Sequence, residues 1–152
     1  MNIKAASADE QIRQILYPYG HRRLGRTPAA PDIRQWAESR LPAGLALGDV
    51  RIGDLLDVSE GDVLDYVNRH GFDPRSVRED DFDWIPEVFW ILEDGARFHL
   101  FYSERGTIRT TGWFASRQDA RREMVRELMR AAKRQLQMSV WGHPNPIPGA
   151  KD

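Results

Sequence analysis

The chain has 152 residues, 41% of them hydrophobic and 30% charged, with a formal net charge of −1 and no cysteine. That length and composition suit about one domain of a compact protein, and the missing cysteines exclude disulfides and thiolate metal sites. No apolar run approaches the roughly 20 residues that cross a bilayer, and Met1–Ser7 has no apolar core of a secretory leader, so a cytoplasmic protein with no membrane partner is expected.

The near-zero net charge hides a division. Residues 1–48 carry seven bases and four acids, residues 49–94 four bases and fourteen acids, and residues 95–138 ten bases and four acids. Such blocks produce local fields of several kT whatever the total. Either the acidic and basic segments pack together, or the acidic block faces a partner; the sequence leaves both readings open.

In chain order, Ala8 to Leu16 sets Ile12, Ile15 and Leu16 at helical spacing behind a Ser7 cap, and Pro18 and Gly20 close the helix. A loop from Tyr19 to Pro31 holds His21, Arg22, Arg23, Arg26 and Pro28. Asp32 opens a second helix whose Ile33, Trp36, Ala37 and Leu41 share a face, and Pro42, Gly44 and Gly48 break the chain again. Val50–Val58 reads as a short helix or an extended segment, with helix preferred. Ser59 and Asp62 resemble a capping box, and the helix behind them buries Val63, Leu64 and Val67 before stopping near Gly71. Residues 74–83 form a polar connection.

Val88–Leu92 is an apolar run of strand length, followed by Asp94-Gly95, the strongest short-range hairpin signal. The next strand alternates, with Phe98, Leu100 and Tyr102 on one face and Arg97, His99 and Phe101 on the other. Gly106 is expected in a three-residue loop, and Gly112 marks a bulge in a third strand before Trp113 and Phe114. Ser116, with Asp119 three residues on, starts a long helix with one apolar stripe of Ala120, Met124, Val125, Leu128, Met129, Ala132 and Leu136 in an arginine-rich surround. The proline-rich end is expected to be extended or disordered. The expected fold class is therefore α+β: N-terminal helices over residues 1–48, then a core at 49–138 in which a three-stranded antiparallel meander packs on the long C-terminal amphipathic helix, then a tail at 139–152, all in one compact domain.

Chemistry-bearing motifs are absent. The four histidines, His21, His70, His99 and His143, have no zinc-ligand spacing, and no phosphate loop, dinucleotide fingerprint or nucleophile elbow occurs. No cofactor, metal or catalytic residue is expected. The acids Glu79, Asp80, Asp81 and Asp83 lack the spaced ligands and turn glycine of a calcium loop, but carboxylates in that density can engage a partner's Arg and Lys side chains.

The run Tyr102-Ser103-Glu104-Arg105-Gly106, continued by Phe114, Ser116, Asp119 and Ala120, resembles the C-terminal signature of bacterial immunity proteins from polymorphic toxin and contact-dependent inhibition systems. Arg117 departs from the pattern, standing where an acid is usual, and the resemblance covers about a third of the chain. It implies a non-enzymatic protein that binds a cognate toxin domain, many of which are nucleases with basic clefts. The partner-facing residues are then expected in the acidic block: Asp57, Glu60, Asp62, Asp65, Glu79, Asp80, Asp81 and Asp83, with Trp84 as aromatic anchor. A double-stranded RNA-binding module is the alternative, since helix, three strands and helix is its order too, although the charges sit poorly for phosphate and nucleic acid is not the expected partner. An enzyme acting through Glu104, Arg105 and His99 is the remaining reading.

Overall fold

The computed structural model describes residues 6–137, and the tail expected at 139–152 lies outside them. The chain divides into two compact units: residues up to Val58 together with those from Leu128 onward, and Ser59–Glu127 between them.

The described part of the first unit is helical. It contains α1 (Ala8–Leu16), α2 (Ile33–Ser39), a 3-10 turn at Leu47–Asp49, α3 (Ile52–Leu55) and the C-terminal part of α5 (Arg117–Gln137). Each main helix starts where the sequence offers a cap. The Ser7 hydroxyl accepts the Glu10 N–H, and Asp32 and Gln35 exchange hydrogen bonds in a full capping box. Ile12, Ile15, Leu16, Ile33, Trp36, Ala37, Met129, Ala132 and Leu136 are buried, each large aliphatic contributing about 1.5–3 kcal/mol relative to exposure. One buried polar side chain ties distant segments. Gln11 donates from Nε2 to the Ala6 carbonyl at 3.0 Å and the Asp57 carboxylate at 2.9 Å, and accepts the Asp57 N–H at 2.9 Å. Residues 49–58 thus belong with the N-terminal helices.

The second unit is α+β. It runs α4 (Glu60–His70), β1 (Val77–Arg78), β2 (Val88–Asp94), β3 (Arg97–Glu104), β4 (Thr107–Phe114) and the N-terminal part of α5. The sheet has four strands in the order β1-β2-β3-β4, rather than the three expected, and it is mixed. Val77 and Arg78 pair in parallel with Phe89 and Trp90, while the other strands are antiparallel. A strand of two residues inside a polar connection shows no alternation to read. Because β1 and β2 run the same way, the chain must return before β2 begins. Residues 79–87 make that return across one face of the sheet.

Both hairpins have two-residue turns. Gly95 (φ +63°) and Ala96 join β2 to β3, so the turn is centred one residue later than Asp94-Gly95, with positive φ only at its first position. Arg105 (φ +46°) and Gly106 (φ +80°) join β3 to β4 with both residues left-handed, the I′ geometry, in place of the expected three-residue loop. Glu104 and Thr107 pair directly beside it, which leaves no room for a third turn residue. The bulge falls where Gly112 marks it: Leu100 faces Gly112 while Phe101 faces Thr110, so Thr111 is the extra residue. Among the described residues, the outer edge of β4 is unpaired.

Ser116 caps α5 by accepting the Asp119 N–H at 3.0 Å. Ala120, Met124 and Val125 are buried on the expected stripe. No described helix is long and apolar enough to cross a membrane.

Candidate functional site

Strand pairing sorts the second unit's sheet into two faces. Val77, Ile91 and Leu100 lie on the face turned towards α5, where Arg117 sits over the Phe98 ring at 5.0 Å; Val77, Ile91 and Leu100 are at most 2% exposed. On the opposite face, Val88, Trp90 and Leu92 of β2 stand across from Ser103, Phe101 and His99 of β3, and those across from Ile108, Thr110 and Trp113 of β4. The returning segment covers the β2 end of this face. Phe82 meets Trp90 and Phe101 at ring distances of 5.0 and 5.5 Å, and Ile85 packs on the same cluster.

Ser103 holds that cover in place. Its hydroxyl accepts the Trp90 indole N–H at 3.1 Å and lies 2.5 Å from the Ile85 carbonyl, to which it donates. The Ser103 carbonyl accepts the Glu87 N–H at 2.7 Å. That bond offsets the left-handed backbone of Glu87 (φ +62°), a conformation costing roughly 1–2 kcal/mol for a residue with a Cβ. With its proton and a lone pair committed to structure, Ser103 is no nucleophile in waiting.

Among the described residues, nothing covers the β3–β4 end of the face. Trp113 is 40% exposed and Ile108 46%, and Trp84 on the returning segment is 55% exposed. The Trp113 indole is nonetheless fixed. His99 lies flat against it, with ring centroids 3.9 Å apart and planes 4° from parallel, and the Arg97 guanidinium carbon is 4.5 Å from the same centroid. Imidazole and guanidinium together hold the indole in place. His99 is itself bonded to the Thr110 hydroxyl at 2.8 Å and backed by Phe101 at 4.6 Å. Burial holds the His99 imidazole below its ordinary pKa, with Asp94 opposing and Arg97 reinforcing that shift. A pocket of about 270 Å³ lies on the same unit between Trp84, Ile85 and Pro86 and the Ser103–Gly106 turn.

The expected acids scatter. Asp57 lies in the first unit, bound by Gln11. Glu60 pairs with Arg126 of α5 at 3.5 Å, and Asp62 completes the Ser59 capping box. Glu79 is gripped by Arg117 at 2.8 Å and by Arg121 at 2.8 Å, so part of the acidic block packs against the basic helix. Asp80 forks with Arg78, and that hydrogen bond holds its carboxyl below the ordinary value. Asp83 caps the Trp84 N–H at 2.8 Å. Asp65 and Asp81 are exposed. The structure brings Asp81, Asp83 and Trp84 together on the returning segment, takes up Asp57, Glu60, Asp62, Glu79 and Asp80 in contacts within the fold, and leaves Asp65 exposed on α4.

The signature residues serve the fold. Tyr102 packs on Phe89 at 4.7 Å with Arg109 over its ring, Phe114 lies against Gly112 and Ala120 is fully buried. Asp119 pairs with Arg122, while no ion pair links Glu104 to Arg105 among the described residues. His99 and Glu104 lie five residues apart on one strand, about 17 Å at 3.3 Å per residue, so His99 does not converge with Glu104 and Arg105. Nor is any group of His, Asp and Glu placed to hold a metal ion among the described residues. The sequence reading missed the Arg97–Trp113–His99 clamp, although alternation had already put Arg97 and His99 on one face. Comparison with protein-family models, curated proteins and solved structures finds no match to this chain.

Proposed function

We propose that the protein is a binding module of the immunity type, which neutralises a toxin domain by occupying its surface and catalyses nothing itself. The observation that carries the reading is the uncovered sheet face with its clamped, exposed Trp113. An aromatic anchor already held in one conformation loses little entropy on docking, and such residues dominate interface energies. Ile108 and Trp84 add apolar surface on the same unit, and Asp81 and Asp83 next to Trp84 supply the acidic character that suits a basic partner. The double-stranded RNA reading is disfavoured because Arg117 and Arg121, at the start of α5 where phosphate would sit, are engaged by Glu79.

The test is co-expression with the C-terminal domain of the toxin encoded beside this gene. Growth rescue and a co-purifying pair are expected, and their joint absence sinks the proposal. Trp113→Ala should weaken the complex by about 30-fold, the 2 kcal/mol of an interface hot spot, beside a separate stability loss of about 1–2 kcal/mol from its His99 and Arg97 contacts, which the Tm of the free protein reads. Asp81→Asn with Asp83→Asn should slow association and flatten its salt dependence.

A further inference from the structure

The first unit carries a feature outside the surface proposed for toxin binding. Residues 21–30 form a two-stranded arm: His21 and Ala30 exchange backbone hydrogen bonds at 3.0 Å, and Leu24 and Thr27 do so at 2.9 and 3.1 Å in the same register. Gly25 (φ +57°) and Arg26 make the turn, and residues 22–29 are all exposed. The base is rigid. Gly20 (φ +58°) passes so close that a Cβ there would lie 2.4 Å from the Ala30 carbonyl oxygen, and the Ile33 N–H bonds the Pro18 carbonyl at 2.8 Å. His21 braces the arm from within. Its Nε2 donates to the Pro28 carbonyl at 2.9 Å, and its Nδ1 shares a hydrogen bond of 2.9 Å with the Tyr17 hydroxyl.

This arm is charged on one side of the ledger only. Residues 11–31 contain no Asp or Glu, and Arg22, Arg23 and Arg26 have no acidic partner among the described residues. Arg34, Arg40, Arg75, Arg78, Arg117 and Arg121 each have a carboxylate within 4 Å, whereas the arm places three arginines without one within five exposed residues. At the tip between the arginines stands Leu24, 71% exposed. Three guanidiniums without a carboxylate partner, Arg23 donating only to the Gly25 carbonyl at 3.3 Å, on a ribbon with an apolar point suit one kind of surface. A two-stranded ribbon fits a duplex groove, guanidinium forks match phosphate oxygens, and an apolar tip can wedge at a base step. An acidic protein surface would satisfy the charges and could take Leu24 in a pocket, but it gives no role to the ribbon's width, which is what favours a duplex groove.

We infer that residues 21–30 are a docking arm for the phosphate backbone of a nucleic-acid duplex. The inference goes beyond the toxin reading and does not depend on it. The experiment is fluorescence anisotropy of the full chain with labelled 20-base-pair DNA and RNA duplexes between 50 and 200 mM salt. Three phosphate contacts predict a log–log salt slope of about −2.7, hence roughly 40-fold weaker binding across that range. Substituting Arg22→Gln, Arg23→Gln and Arg26→Gln together should abolish the slope without lowering thermal stability, since the three side chains are exposed. Leu24→Ala should weaken binding with the slope retained. No binding at 50 mM salt, an unchanged slope in the triple variant, or equal displacement by poly-glutamate, which would indicate an acidic protein partner, overturns the inference. Preference between the two duplexes identifies which nucleic acid the arm takes.

Discussion

Replacing Ser103 by Ala tests whether one hydroxyl secures the covered face of the sheet. Trp90 is fully buried and its indole N–H has Ser103 Oγ as its partner. Without the hydroxyl that donor is left in an apolar cluster, which costs about 1–3 kcal/mol, and the Ile85 carbonyl loses its donor as well. A loss of about 2–3 kcal/mol follows, or a fall in Tm of about 4–12 °C at this chain length. Urea unfolding followed by tryptophan emission measures it, at unchanged m. Trp90→Phe removes the donor and keeps most of the ring, so it should relieve part of the penalty. The double variant then shows a coupling of about 1 kcal/mol or more. A Ser103→Ala loss below 0.5 kcal/mol, or additive single and double variants, would refute the assignment of this bond as the latch.

Three further outcomes are expected. Glu79→Ala, which frees two partly exposed guanidiniums, should cost about 1 kcal/mol in low salt and less in 1 M NaCl, as urea midpoints at the two ionic strengths report. Gly20→Ala should destabilise far more than Gly25→Ala. Both have positive φ, but a Cβ at Gly20 collides with backbone, whereas at Gly25 nothing lies within 4 Å; equal Tm values would contradict the close approach. His99 is held below 6.5 in the folded protein. The unfolded chain therefore binds its proton first as pH falls, and stability should decline from about pH 6.5 down to the folded pKa, with no His99 effect above that range. Comparing urea midpoints of wild type and His99→Gln between pH 8 and 5.5 isolates the term, and parallel curves would count against it.

What could be read in the sequence was local. Capping residues at Ser7, Asp32, Ser59 and Ser116, the alternation of Arg97–Tyr102, the hairpin glycines and the α5 stripe all act within a few residues, where spacing states the geometry. What escaped reading depends on partners far along the chain. Gln11 meets Asp57 across 46 residues, Ser103 meets Ile85 across 18, and Arg121 meets Glu79 across 42. Val77 becomes a strand only because β2 is beside it. The acidic block illustrates the difference: its composition was plain, but only the fold distinguishes Glu79, consumed by α5, from Asp81, which faces water.

The unpaired edge of β4 has a bearing on how the chain survives its own concentration. Eight residues with one charge, Arg109, offer backbone donors and acceptors to any passing strand, the template from which fibrils grow. The extra residue at Thr111 interrupts that template midway, so a second edge cannot zip along it in register. A kink that looks like an irregularity of pairing thus interrupts the stretch along which edge strands could add, and its effect would be felt during synthesis and refolding.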